Sequence, residues 1–205
     1  MTVEHIEVLV EEPSMEAALT ELLPKILPGT SFHVHTHQGK LDLLGKLPQK
    51  LKAYAAWIPP TWRIVVVVDR DSDDCKNLKK RLDDTVARAG LLTRSAAADS
   101  ASYVVVNRIA IEELEAWYFG DWTAVCAAYP KAPRKITSKA EYRAPDEIKG
   151  GTWEAFLRVL QPAGYFTGGL RKIEAARAIA KHMAPSRNTS PSFCALRDAL
   201  EALVA

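Results

Sequence analysis

The chain has 205 residues, of which 48% are hydrophobic and 25% charged, and its formal net charge is +2. That length suffices for one domain with a substantial core, and the composition excludes a disordered or low-complexity chain. No apolar run approaches the ~20 residues of a membrane span, and the balanced charge excludes a molecule-wide basic field, so a nucleic-acid surface would have to be local. The chain opens on a strand, Ile6 to Val10, with no signal-peptide core before it, so cytoplasm is the expected compartment. Pro13 and Ser14 open a helix, with Ser14 able to cap it and Ala17, Ala18, Leu19, Leu22, Leu23 and Ile26 forming its apolar stripe. Pro28-Gly29 ends that helix. Ser31 to Thr36 is a second strand, Asp42 to Trp57 a second helix disturbed by Pro48, and Arg63 to Val68 a third strand. Asp73 to Ala89 is a third helix ended by Gly90, and Tyr103 to Ile109 a fourth strand.

This alternation predicts a parallel, doubly wound α/β sheet of four strands with flanking helices. After Glu112 the pattern turns helical, over Glu112 to Tyr118, Trp122 to Ala128, Trp153 to Leu160, Arg171 to His182 and Pro191 to Val204. Residues 1–120 read as the α/β core and 121–205 as a helical extension packed on it, the two making one globular unit. Cys75, Cys126 and Cys194 are odd in number, far apart and outside any Cys-x-x-Cys motif, which points to a reduced thiol set.

The chemistry concentrates where Ile64-Val65-Val66-Val67-Val68 runs into Asp69-Arg70-Asp71-Ser72-Asp73-Asp74. The β-branched run reads as a central strand buried on both faces. In extended backbone Asp69 and Asp71 point to the same side. Ligands of open α/β sheets bind beyond the carboxyl ends of the strands, and two carboxylates held together there call for a hard divalent cation, Mg2+ or Mn2+. The bland alternative is a solvated turn, with Asp73 as the N-cap of the next helix. An EF-hand does not fit, because its sixth and twelfth positions would be Asp74 and Lys80. Glu112 and Glu115 lie three apart on a predicted helix directly after the fourth strand, within reach of the same crevice. Glu115 is the better placed, and a dipole-favoured helix start is the alternative for both.

Other signals are weaker. His33, His35 and His37 alternate, which is zinc-like spacing if all three lie on a strand. The stronger expectation is that His37, with Gln38 and Lys40, borders the acidic crevice. Trp117, Tyr118, Trp122 and Tyr129 have helical spacing and read as core rather than as base-stacking platforms. Lys131, Arg134, Lys135, Lys139, Arg143 and Lys149 make the long connection from Pro130 to Gly151 basic, suited either to a phosphate backbone or to plain solvation. No P-loop occurs, since Gly168-Gly169 is a turn, so any ATP would be used by a separate ATPase.

These residues resemble the Toprim (topoisomerase–primase) domain, which places a Glu at the end of its first strand and an Asp-x-Asp after its third. The matches are Val8-Leu9-Val10-Glu11-Glu12 and Val68-Asp69-Arg70-Asp71. More closely, the chain resembles a bacterial Toprim-like family, the domain-of-unknown-function family 4276. That likeness rests on Val10-Glu11-Glu12-Pro13-Ser14-Met15-Glu16, Asp69-Arg70-Asp71, Glu112-Glu113-Leu114-Glu115-Ala116-Trp117-Tyr118, Gly164-Tyr165-Phe166 and Lys172-Ile173-Glu174-Ala175-Ala176. It spans most of the chain, and order and spacing carry it rather than any one motif. Toprim domains usually have Gly after the first-strand Glu, where this chain has Glu12.

The resemblance implies a Toprim-like Rossmannoid fold and a metal-dependent nuclease that hydrolyses phosphodiester bonds of DNA or RNA. It implies Glu11 or Glu12 as the metal Glu; strand registration favours Glu11. The related pairing with an acid four residues on instead favours Glu12 with Glu16, which share a helix face. Asp69, Asp71 and Glu115 complete the metal set. Lys172 would support the transition-state phosphate, as a C-terminal Lys does in related nucleases; the alternative is an exposed helix-start Lys. Proteins of this kind also resemble effectors of ATPase-coupled phage-defence pairs, which implies an ATPase partner. Two rival functions remain: a non-catalytic Toprim-fold module that partners an ATPase, and a small-nucleotide phosphohydrolase.

Overall fold

The computed structural model describes residues 2–98 and 102–204. Four strands form one parallel sheet: β1 (His5–Val10), β2 (Ser31–His35), β3 (Trp62–Asp69) and β4 (Val105–Ala110), in spatial order β2-β1-β3-β4. The central pair is in register with Val8 opposite Val65 and Val10 opposite Val67. Both of these strands are apolar on both faces because both faces are covered.

The helices α1 (Pro13–Ile26), α2 (Lys40–Trp57) and α3 (Cys75–Arg88) connect the strands. One face of the sheet, with Leu9, Ile64, Val66 and Val68, packs on Leu43, Leu47 and Leu51 of α2 and on Leu78, Leu82 and Val86 of α3. The opposite face, with Ile6, Val8, Val10, Val65 and Val67, shares a core with α1 and with everything after β4. That second half comprises α4 (Glu115–Gly120), α5 (Trp122–Ala128), α6 (Thr152–Leu160), α7 (Lys172–Ala180) and α8 (Pro191–Val204). Short 3-10 turns at Ile136–Ser138, Ala140–Tyr142 and Pro145–Glu147 lie between α5 and α6. α7 lies along α1, and α8 packs on β4 and α1. α7, which carries Lys172 at its start, is thus packed on the helix that follows β1, which brings residues near 172 to the rim of that strand. Among the described residues no helix is long and apolar enough to cross a membrane.

Several local expectations need correction. Ser14 does not cap α1; Glu12 holds the N-cap position in extended backbone, and the Ser14 hydroxyl donates to Glu12 Oε2 at 3.2 Å. α3 starts later than expected, because its N-cap is Asp74, whose carboxylate accepts from the Asn77 N–H at 2.9 Å, rather than Asp73. β2 stops at His35, so His37 lies beyond the strand. Helix α4 begins at Glu115 and not at Glu112, so these two acids do not share a helix face. Gly90, at φ +78°, ends α3 as anticipated. Trp117, Tyr118 and Trp122 are buried core residues, and Tyr129 packs its ring on Tyr165 and Phe166.

Candidate metal centre at the switch point of the sheet

From β1 the chain moves outward to β2, and from β3 outward to β4. The connections therefore diverge between the carboxyl ends of β1 and β3, leaving the crevice where open α/β sheets bind ligands. Glu11 is the first residue after β1 and Asp69 the last of β3, so the two carboxylates sit at the two lips of that crevice. Both residues are buried, and among the described residues Glu11 Oε2 and Asp69 Oδ1 have no hydrogen-bond partner.

Unpaired buried carboxylates resist ionisation. Burial, then Asp71, raises the Glu11 pKa to about 7, with Lys40 and the Asp69 backbone N–H opposing and Glu12 adding to the rise. Asp69 is raised well above the usual carboxylate range by burial, then by Glu11, Glu115, Asp71 and Glu12. Glu115, the first residue of α4 and only 2% exposed, is pushed up to about 7 chiefly by burial, although Lys172 pulls it down. Lys172 opens α7; burial lowers its pKa, but Glu115, Glu12, Glu113 and Asp69 together raise it more. Glu11, Asp69 and Glu115, with Glu12 and Asp71 at the edge and Lys172 as counter-charge, thus share one electrostatic cluster.

Other predicted residues stand apart from it. Glu16 is half-buried on α1 and is not among the leading charges acting on Glu11, Asp69 or Glu115. Glu112 is ion-paired with Arg70, and its carbonyl accepts from the Asp71 N–H at 2.9 Å, a structural role. The shared extended geometry of Asp69 and Asp71 does not hold. The strand ends at Asp69, and Asp71 is left-handed at φ +49°, which turns its carboxylate out to the half-exposed rim. There Lys40 Nζ takes it at 2.7 Å, together with Asp73 at 2.9 Å and the Arg70 carbonyl at 2.9 Å.

The histidines divide. His33 stacks on His35, which pairs with Glu7, while His37 is buried with Nδ1 on the Val10 carbonyl at 2.8 Å. The zinc arrangement is therefore not formed. Gln38 is exposed next to Lys40. Two site residues had little sequence signal. Glu113 accepts from the Thr152 hydroxyl at 3.1 Å and the Trp153 N–H at 3.2 Å, which ties α6 to the acidic loop. Tyr118 places a buried, unpartnered hydroxyl in the field of Glu115 and Asp69.

The donor chemistry fits a hard cation, since all of the donors are carboxylate oxygens and two of them are orphaned and buried. Among the described residues, though, no three His, Cys, Asp or Glu side chains stand close enough to form a ready-made cage. A cation would have to draw Glu11, Asp69 and Glu115 together by side-chain rotation.

No curated protein and no solved structure matches the chain. The family described as Domain of unknown function (DUF4276) matches residues 10–201, a span that runs from the end of β1 into α8 and holds every acid of the cluster and Lys172. The chain belongs to the DUF4276 family.

Proposed function

We propose that this protein is a Toprim-like, Mg2+- or Mn2+-dependent nuclease that hydrolyses phosphodiester bonds of DNA or RNA. One observation carries the reading: Glu11 and Asp69 leave buried, unpartnered oxygens on both lips of the switch-point crevice, with Glu115 and Lys172 beside them. Buried like charges are costly, and a site that tolerates them gains most from a multivalent cation. Glu11, Asp69 and Glu115 would hold the ion, with Glu12 and Asp71 at its edge. The ion, when bound, supplies charge neutralisation on a phosphate and a bound water of lowered pKa.

The remaining chemistry belongs to the chain. Lys172 is held cationic by four acids and presents a fixed positive charge where a phosphate gains negative charge. Glu11 and Glu115, each with a pKa of about 7 in the free protein, would give up their protons on holding the ion, so metal affinity should rise with pH through neutrality. Lys40, buried to 12% side-chain exposure, locks Asp71, Asp73 and the Arg70 carbonyl, and so fixes the loop that forms one wall of the crevice.

The test is cleavage of plasmid DNA and of a structured RNA with Mg2+ or Mn2+, against a chelator control and Asp69→Asn. Metal-dependent nicking that the variant lacks supports the reading. Intact nucleic acid with both metals overturns it, and a nucleotide panel run in parallel exposes a small-nucleotide phosphohydrolase.

A second reading rests on Lys40. Its ammonium already neutralises Asp71 and Asp73, as suits a fold kept for binding. Under it the protein is a non-catalytic module that works with an ATPase in phage defence, and stoichiometric nucleic-acid binding without cleavage would favour it. The cytoplasm is the compartment we propose for either reading, supported by the reduced thiol set that the cysteine pattern suggests.

A further inference from the structure

A second pocket lies at the far end of α4 from Glu115. It encloses about 420 Å³ between the end of α4, the face of α5 and the connection that follows. Three arginines, Arg134, Arg143 and Arg187, reach it from different parts of the chain. Arg187 is neutralised: its Nε and Nη2 meet Asp121 Oδ1 and Oδ2 at 2.7 and 2.9 Å, and Asp121 is fully buried. Arg134 and Arg143 have no carboxylate within ion-pair distance among the described residues. The pocket therefore carries two uncompensated positive charges.

Its walls are braced. Trp122, which lines the floor, donates its indole N–H to the Pro133 carbonyl at 2.8 Å and so fixes the backbone beside Arg134. Arg143 Nη2 donates to the Ser138 carbonyl at 3.2 Å, in the turn that carries Thr137. Thr123 and Thr137 also line the space, and a threonine hydroxyl can donate.

Two arginine forks and two hydroxyls around a cavity of small-ligand size suit a dianionic oxyanion. We propose that this pocket binds a phosphomonoester group, with Arg134 and Arg143 as its charge contacts. The group can come from a free mononucleotide or from the phosphorylated end of a nucleic-acid strand, since the chemistry recognised is the same. This site stands apart from the acidic crevice, and its occupancy does not depend on the nuclease reading.

Binding is measured by calorimetry, in chelator to stop any cleavage, with inorganic phosphate, adenosine monophosphate, and one oligonucleotide bearing either a 5′-phosphate or a 5′-hydroxyl. Cys126 lines the pocket, so its alkylation by a maleimide, read by mass spectrometry, gives a second signal, with Cys75 as the internal control. Adenosine monophosphate or the phosphorylated strand should bind and slow Cys126 labelling several-fold. The double variant Arg134→Ala/Arg143→Ala, at two exposed positions, should bind at least tenfold more weakly, and Asp69→Asn should bind as the native chain does. Preference for the mononucleotide identifies a free ligand; preference for the 5′-phosphate over the 5′-hydroxyl strand identifies a strand end. Absence of binding by all the phosphorylated probes, or equal binding by the double variant, overturns the proposal.

Discussion

Glu11 directly follows β1 and Asp69 ends the neighbouring parallel strand β3, and each has a buried carboxylate oxygen with no hydrogen-bond partner among the described residues. Under the metal-dependent reading proposed above, that pair costs the metal-free fold stability which a bound cation would return.

Asp69→Asn should therefore raise the thermal stability of the metal-free protein at pH 8 while removing function. Replacing a buried, repelled carboxylate with a neutral amide relieves on the order of 1–3 kcal/mol, which for a chain of this size is roughly 2–4 °C in Tm per kcal/mol. Mg2+ or Mn2+ should raise the Tm of the native chain and leave the variant unchanged. Thermal denaturation with and without metal checks both statements; a variant less stable than the native chain would show that the Asp69 carboxylate is already satisfied.

β1 also carries a test of pH dependence. Glu7 lies on it, Glu11 directly follows it, and the two have opposite shifts. Burial raises the Glu7 pKa, but hydrogen bonding and charge from His35, with Tyr54 and His5, outweigh this and leave it below 4.5. Its contribution is present above pH ~4.5 and is lost as pH falls through its folded value. Glu11 goes the other way: with a folded pKa of about 7 against 4.5, the native state binds more protons between those values, so stability falls as pH rises across that window. In metal-free protein Glu11→Gln should be stabilising at pH 8 and neutral at pH 4. Glu7→Gln should be destabilising near pH 6, with a deficit that closes toward pH 3. Urea denaturation of the three proteins at four pH values decides the matter; parallel curves for the two variants would contradict it.

The sheet was legible because its central strand β3 is a continuous β-branched run from Ile64 to Val68, which few other elements tolerate. Asp69 was legible for the same reason, as the first acid after such a run. Asp71 was misplaced because period-two reasoning assumes extended backbone, and the chain becomes left-handed at that residue. The grip of Lys40 on Asp71 and Asp73 joins the start of α2 to the loop after β3, a contact set by packing and not by spacing. Lys172 came to attention through a family likeness alone; its physical reason, α7 lying on α1, is tertiary. The basic connection offered six cations of equal appearance, and only folding gathers Arg134 and Arg143 around one cavity.

Lys172 should matter to rate more than to folding. Lys172→Met should lower phosphodiester cleavage by ~10²–10³-fold, the usual scale for removing one transition-state contact to an oxyanion. Because Lys172 also holds the Glu115 pKa down, its loss should move the acidic limb of the pH–rate profile upward. Lys172→Arg should restore the position of that limb even if it restores little rate. Full activity in Lys172→Met would reduce Lys172 to a surface charge.

The join between α4 and the segment before α8 gives a purely steric prediction. A Cβ on Gly120 would collide with Asn188 Oδ1 and stand 2.7 Å from the Ser190 backbone N. Asn188 cannot swing away without loss, because its side-chain N–H donates to the Trp117 carbonyl at 2.8 Å and its oxygen accepts from the Ser190 N–H at 2.9 Å. The Thr189 N–H holds the Gly120 carbonyl at 2.9 Å as well. Gly120→Ala must push this segment off α4, at a cost of about 1–3 kcal/mol, the scale of overpacking a tight site. Gly168→Ala is the matched control, since a Cβ there meets nothing within 4 Å and its φ is not positive. Chemical denaturation should show Gly120→Ala clearly weakened and Gly168→Ala close to native. Equal stabilities would mean that the 188–190 segment yields freely, and that α8 is less firmly anchored to the acid-bearing helix than these hydrogen bonds require.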